Sequence, residues 1–281
     1  MLEAELTFSS KDLISDSNKT KINKKLISLI VIISLIIISI IIIILIVVLS
    51  SSKSNKTEIG QINCNYDVKI KNKEINILGE EFKKDSEFDM FIDGKLIKYS
   101  KKYVFDQEKT YQIQFKLYGN LNMDFMFKNI DSLISIEMIS EKFAKINTMV
   151  SSFENCINLE TFNIRGFNTS EVKSFSKLFF NTSLTNINLE NFDTNNTEDF
   201  SYMFAFSKIE KINISKFNTK KAKNMSHMFY YCNLLNDLDI SNFDVNNVED
   251  ISYMFYHCTK ISYLNLNNFS TKNVQKYVSS F

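Results

Sequence analysis

The sequence has no proline and no tryptophan, and among 281 residues only five glycines, four cysteines and two histidines. Each shortage excludes something. With five glycines and no glycine-rich motif there is no loop to cradle a phosphate, and collagen-like or Gly/Pro low-complexity chains are ruled out. Four cysteines cannot staple a chain this long into a disulfide mini-fold. Basic and acidic residues number 33 and 32, a net charge of +1, so the concentrated basic surface that phosphate backbones demand is missing. That argues against nucleic acid as the partner. The usual turn residues are nearly absent too, so this chain has to make its turns by other means.

What is present begins with an apolar run. Leu26 to Leu49 reads LISLIVIISLIIISIIIIILIVVL, 24 residues without a charge, interrupted only by Ser28, Ser34 and Ser39. As a helix this spans about 36 Å, enough for a ~30 Å hydrocarbon core, and in lipid a lone segment satisfies its backbone only as a helix. A cleaved signal peptide has a shorter apolar core and a small-residue cleavage site; neither is found. The segment therefore reads as an uncleaved signal-anchor. Lys11, Lys19, Lys21, Lys24 and Lys25 precede it, against Lys53 and Lys56 after it. The excess of positive charge keeps residues 1–25 in the cytoplasm and places residues 51–281 outside or in a lumen. Residues 50–60 read as a solvated linker.

Residues 61–120 read as a small antiparallel β module. Tyr111, Ile113, Phe115 and Leu117 alternate with polar residues, the period of a half-buried strand. Phe88, Met90 and Ile92 alternate likewise and run into Asp93-Gly94, a hairpin signal. Val68 with Ile70, and Ile75 with Ile77, mark further short strands.

Residues 121–281 are a repeat. Phe127, Phe153, Phe179, Phe204, Phe229, Phe255 and Phe281 recur every 25 or 26 residues, and Phe167, Phe192, Phe217, Phe243 and Phe269 form a second column with that period. Each unit opens on an L-x-x-L-x-L element such as Leu235/Leu238/Ile240, whose alternating end reads as a short strand. A Phe-Asx-Thr turn follows, as in Phe192-Asp193-Thr194, where side-chain oxygens replace Gly and Pro in bending the chain. The last part, with Val248, Ile251, Met254 and Phe255 or Ala222, Met225, Met228 and Phe229 on one side, predicts a helix of about two turns. The unit beginning at Phe127 has Glu141 where the second Phe belongs and reads as an N-terminal cap; the last unit, starting at Phe281, reads as truncated. The expected fold class is thus α/β: a leucine-rich-repeat-like solenoid of one strand and one helix per unit, after a β module and a transmembrane helix.

The blocks SYMF-x-x-C from Ser252 and LNDLDISNFDVNNVED from Leu235 resemble the BspA-like leucine-rich-repeat surface proteins. Asp93-Gly94 with Tyr103 and Phe105 resembles the segment that often precedes such repeats. The resemblance implies a curved or rod-like repeat domain at the cell surface, acting in adhesion and recognition, with no catalytic residues.

The exposed strand positions form the candidate binding face: Thr161, Asn163, Asn186, Asn188, Lys211, Asn213, Asp237, Asp239, Tyr263 and Asn265. Asp237 and Asp239 beside Tyr263 are its least generic part. Cys156, Cys232 and Cys258 share one repeat position with Ile130, Thr182 and Ser207, which marks a packing site. Stacked units also put Cys232 and Cys258 within range of a disulfide. His257 with Cys258 and Cys232 matches no zinc spacing, and neither His227 nor His257 accompanies a nucleophile motif. No catalytic residue, metal or cofactor is implied. Beyond the apolar segment, glycosylation sequons stand at Asn55, Asn168, Asn181, Asn195, Asn213, Asn224 and Asn268.

The sequence is read as a single-pass, non-enzymatic surface protein that binds protein ligands on a host, a matrix or a neighbouring cell. Two alternatives stand beside it: a coat or wall protein that binds its own copies, and a repeat scaffold facing the cytosol.

Overall fold

The computed structural model describes residues 27–44, 56–264, 266, 269–270 and 272–280. The chain divides into two compact units, Met1–Lys56 and Thr57–Phe281. In the first, helix α1 runs from Ile27 to Ile44, 18 residues that are apolar apart from Ser28, Ser34 and Ser39, with every side chain exposed. Two of its hydroxyls are satisfied within the helix: Ser34 and Ser39 donate to the carbonyls of Val31 and Ile36. At 1.5 Å per residue α1 is about 27 Å long, long and apolar enough to cross a membrane. Leu26, residues 45–49 and the flanking lysines up to Lys53 lie outside the described residues.

The second unit is built from strands and turns. A six-stranded sheet has the order β10-β8-β1-β6-β3-β4, with β1 Gly60–Asp67, β3 Phe88–Ile92, β4 Lys95–Ile97, β6 Thr110–Leu117, β8 Leu133–Ile139 and β10 Thr161–Arg165. All its pairings are antiparallel except β8 with β10. Three two-stranded sheets complete it: antiparallel β2 (Glu74–Asn76) with β5 (Lys102–Val104), and parallel β7 (Leu121–Asn122) with β9 (Ile146–Thr148) and β11 (Asn186–Asn188) with β12 (Lys211–Asn213). Alternation built β6, whose Tyr111, Ile113, Phe115 and Leu117 are all buried. The Asp93-Gly94 turn closes β3 on β4 with φ of 47° and 77° at its two residues, the geometry a tight hairpin needs. Ile75 is on β2, whereas Ile70 lies in the β1–β2 connection and is exposed. Because β8 comes from the repeats and pairs with β1 of the module, one sheet crosses the boundary at residue 120.

The predicted α/β leucine-rich-repeat solenoid is corrected here. Among the described residues of this unit there is no helix, and the strands form several small sheets rather than one continuous parallel sheet. β11 pairs only with β12, and beyond it pairing shrinks to single parallel bridges such as Lys211 to Asp237. The hydrogen bonds give the reason. Ser151, Phe153 and Asn155 donate N–H to the carbonyls of Ser176, Leu178 and Phe180 in the following unit, at 2.9, 3.1 and 2.8 Å. The residues between, Ser152, Glu154 and Cys156, close three-residue turns onto Met149, Ser151 and Phe153. A helix needs every N–H for its own chain, four residues back; here every second one is spent on the neighbour. The same alternation recurs in later units, for instance at Phe200, Tyr202, Phe204 and Phe206.

Two residues per turn adopt positive φ, four apart, as at Ser151 and Asn155 (54° and 59°) or Tyr202 and Phe206 (57° and 60°). A left-handed non-glycine residue costs about 1–2 kcal/mol, which the hydrogen bonds between units offset. The burial expected of a helix face is nonetheless present: Val248, Ile251, Met254 and Phe255 are all inside. Three-residue turns return side chains to one side with nearly the same spacing as a helix.

The first Phe column is a stack of rings. Phe127, Phe153, Phe179, Phe204, Phe229 and Phe255 follow one another with centroids 5.4 to 6.0 Å apart and planes within 14° of parallel. In the second column Phe167, Phe192, Phe217 and Phe243 are buried. Phe281 lies outside the described residues.

Turns are made by Asx side chains, as the sequence predicts. In a single unit Asn188, Asp193 and Asp199 accept the N–H of Glu190, Asn195 and Ser201 through Oδ1 at 2.9–3.0 Å. Buried threonines tie unit to unit. Thr194 Oγ1 accepts the Asn218 N–H at 2.8 Å and donates to the Asn218 carbonyl at 3.0 Å, and Thr169 and Thr219 repeat this with Asp193 and Asp244. Glycine is indispensable at Gly166, where φ is +69° and an added Cβ would collide with the Ser140 carbonyl.

Candidate functional site

Of the residues read as exposed strand positions, Thr161 and Asn163 lie on β10, Asn186 and Asn188 on β11, and Lys211 and Asn213 on β12. Asp237, Asp239 and Tyr263 lie outside any strand. Thr161, Asn163, Asn186, Asn188, Lys211, Asp237 and Asp239 are exposed, Asn213 is half-buried, and Tyr263 is 76% exposed; Asn265 lies outside the described residues. Asn186 sits opposite Lys211 and Asn188 opposite Asn213, and Lys211 bridges on to Asp237. Hydrogen bonds from the Ser241 hydroxyl and N–H hold the Asp239 carboxyl below its usual range. Pairing of β10 with β8, and of β8 with β1, carries this polar surface onto the module. There the Gln114 amide donates to Gln61 and Asn63, and Asn65 donates to Ser135. On the module this polar, amide-rich face has mutual side-chain bonds. In the repeats Asn188, Asn213 and Asp239 instead accept from residues of their own turns.

A second face, which the sequence reading missed, lies on the turns. Its three columns are the two positive-φ positions and the residue after the stacked Phe. In the early units they are mostly polar, Phe125 and Phe180 excepted. Asn181 donates to Asn155 and Asn155 to Asn129 at 2.9 and 3.0 Å, and the nearly buried Glu154 carboxylate lies between Lys128 (3.4 Å) and Lys177 (3.6 Å). In the later units they are aromatic except at the buried Ala205. Tyr202 stacks on His227 at 4.2 Å and His227 on Tyr253 at 5.0 Å. Phe206 stacks on Tyr231 at 5.3 Å and Tyr231 on His257 at 4.4 Å; Tyr230 stacks on Tyr256 at 5.5 Å. Lys177 stands at the border, its ammonium over the rings of Phe180 and Tyr202. Phe206 and His257 are exposed and the other rings half-buried. The available signal was periodicity: Tyr202, His227 and Tyr253 keep the 25–26 spacing, as do Phe206, Tyr231 and His257.

Burial shapes the chemistry of these rings. His227 Nδ1 is buried with no hydrogen-bond partner among the described residues, and desolvation pulls the imidazole below its ordinary value of 6.5, with Asp250 opposing. Desolvation likewise raises the phenols of Tyr202 and Tyr230.

The cysteine column is a packing column, and the bridge considered between Cys232 and Cys258 is not formed. All four cysteines are free. Cys156, Cys232 and Cys258 donate S–H to the carbonyls of Phe127, Phe204 and Phe229 at 2.9, 3.1 and 3.0 Å. Burial pushes the Cys258 thiol up to about 12 and raises Cys64, Cys156 and Cys232 as well. Among the described residues no group of three or more His, Cys, Asp or Glu side chains gathers where it would hold a metal.

Several sequons are turn chemistry. Asn168, Asn213 and Asn224 each accept the N–H of the serine two residues on, so the spacing that makes a sequon is also the spacing of an Asx turn. Asn181 donates to Asn155, and Asn195 is exposed and accepts from Asn218. Asn55 and Asn268 lie outside the described residues.

These features define a β-and-turn repeat protein whose distinctive chemistry is spread over exposed columns. Residues 121–210 and 205–281 match the family described as "Mycoplasma protein of unknown function, DUF285", and the chain belongs to that family. The match begins where the repeat begins. No curated protein and no solved structure is detectably similar to the chain.

Proposed function

We propose that this is a BspA-like, non-enzymatic surface protein, anchored through α1 with its N-terminus in the cytoplasm, whose repeats bind protein ligands on a host, a matrix or a neighbouring cell. The observation that carries this reading is the aromatic half of the turn columns. Tyrosine and other aromatic side chains are enriched at the energetic centres of protein interfaces, because they bury much apolar area while keeping a polar tip. Here they are clustered, held rigid by stacking on one another, and partly open to solvent. Rigidity lowers the entropy lost on binding. The amide face supplies a second surface of the same unit, with fewer anchors.

Two measurements test it. Protease added to intact cells should cut the repeats; protection would place them in the cytosol. The full chain in nanodiscs, screened against extracellular matrix proteins and against itself, should bind a heterologous protein, and Tyr231→Ser with Tyr256→Ser should weaken that binding by about tenfold or more, the loss of one hot-spot contact. If Asp237→Ala with Asp239→Ala has that effect instead, the amide face is the site. Assembly of the chain with itself alone would favour the coat reading.

A further inference from the structure

β2 is half of a two-stranded sheet, and its outer edge is bare. The Ile77 N–H donates to the Lys101 carbonyl at 2.8 Å, which with the register of Ile75 opposite Tyr103 turns the peptide groups of Glu74 and Asn76 away from β5. Among the described residues those groups have no hydrogen-bond partner. They border an open cleft of about 720 Å³, within the range of about 300–1,000 Å³ typical of ligand sites. The far wall is firm: Asn158 donates to the Asp131 carbonyl, and the Glu160 N–H to Ile134.

We infer that this cleft binds an extended basic peptide, which adds to the open edge of β2 as a further strand. Strand addition uses the backbone groups that an edge leaves unpaired and reads alternate side chains in pockets. The floor provides for both kinds of side chain. Ile70 is 52% exposed there, and Ile75 and Ile134 are half-buried, giving apolar seats. Four carboxylates and two lysines line the cleft, a net charge of −2, and one of those carboxylates, Asp67, is already paired with Lys69. Glu74, Asp131 and Glu160 then face Lys73 alone. A strand alternating lysine with valine matches both the charge and the two-residue period. The site is separate from the aromatic columns and does not depend on their role.

The test titrates the full chain, in phosphatidylcholine nanodiscs, into fluorescent end-blocked Lys-Val-Lys-Val-Lys, with empty nanodiscs as the blank. The expected result is saturable binding at least about tenfold tighter than for Glu-Val-Glu-Val-Glu, a difference of about 1.4 kcal/mol, that weakens as salt is added. N-methylation at alternate peptide residues should cost about tenfold or more by removing the strand hydrogen bonds, with the protein itself unaltered. Asp131→Lys with Glu160→Lys, both exposed, should cost as much, whereas Tyr231→Ser with Tyr256→Ser should change nothing. Absence of saturable binding, equal binding of the acidic peptide, or indifference to N-methylation would each overturn the proposal. None of those results bears on the aromatic face.

Discussion

The rings of Tyr202 and His227 lie 4.2 Å apart and within 8° of parallel, one repeat unit from each other. Tyr253 continues the column beyond His227, leaving the imidazole between two phenols with its Nδ1 buried and unpaired. Protonation puts a buried N–H without an acceptor into that stack. Burial lowers the folded value below 6.5, so the neutral form is the one folding favours. The stability this confers is complete above 6.5 and is lost as pH falls through that value towards the lowered one. Comparing denaturant midpoints of the wild type and His227→Phe between pH 7.5 and 5 should show a gap that widens in favour of the variant on acidification. A constant gap would show that His227 does not titrate there.

The Phe stack carries much of the repeat core. Phe229 is 1% exposed between Phe204 and Phe255, so Phe229→Ala should cost about 3–5 kcal/mol. Phe206→Ala, at a position 42% exposed, should cost far less. Urea unfolding of the two variants decides it, and equal losses would contradict the burial.

Thr194→Val removes a buried hydroxyl that bonds both backbone groups of Asn218. An unpaired buried amide costs about 1–3 kcal/mol, and amide hydrogen exchange should quicken at Asn218 in particular.

The thiols give a direct check on the cysteine column. Under native conditions Cys64, Cys156 and Cys232 should resist alkylation while Cys258 reacts slowly at alkaline pH, because it alone is partly open. Four thiols should react after denaturation without reductant. Two fewer would reveal a bridge.

What was legible in the residues depended on whether a local rule applied. Asp93-Gly94 specified its hairpin, Tyr111 to Leu117 their strand, and Asp193 its turn, since each rests on neighbours within a few positions. Val248 to Phe255 were correctly placed inside but given the wrong backbone. Spacing reports which side chains face the core and says nothing of where each N–H is sent.

The sequence by itself determined the repeat, its 25–26-residue period, the buried Phe columns, the Asx turns that stand in for glycine and proline, and the apolar span of α1. Only the tertiary structure decided that Phe153 and Asn155 send their N–H groups to the next unit, which forbids a helix and leaves turns stacked on turns. It also decided which side chains line up at contact distance across units. Tyr202 and His227 are 25 residues apart in the chain and in contact in the fold, because the hydrogen bonds between units fix a register that no local preference contains.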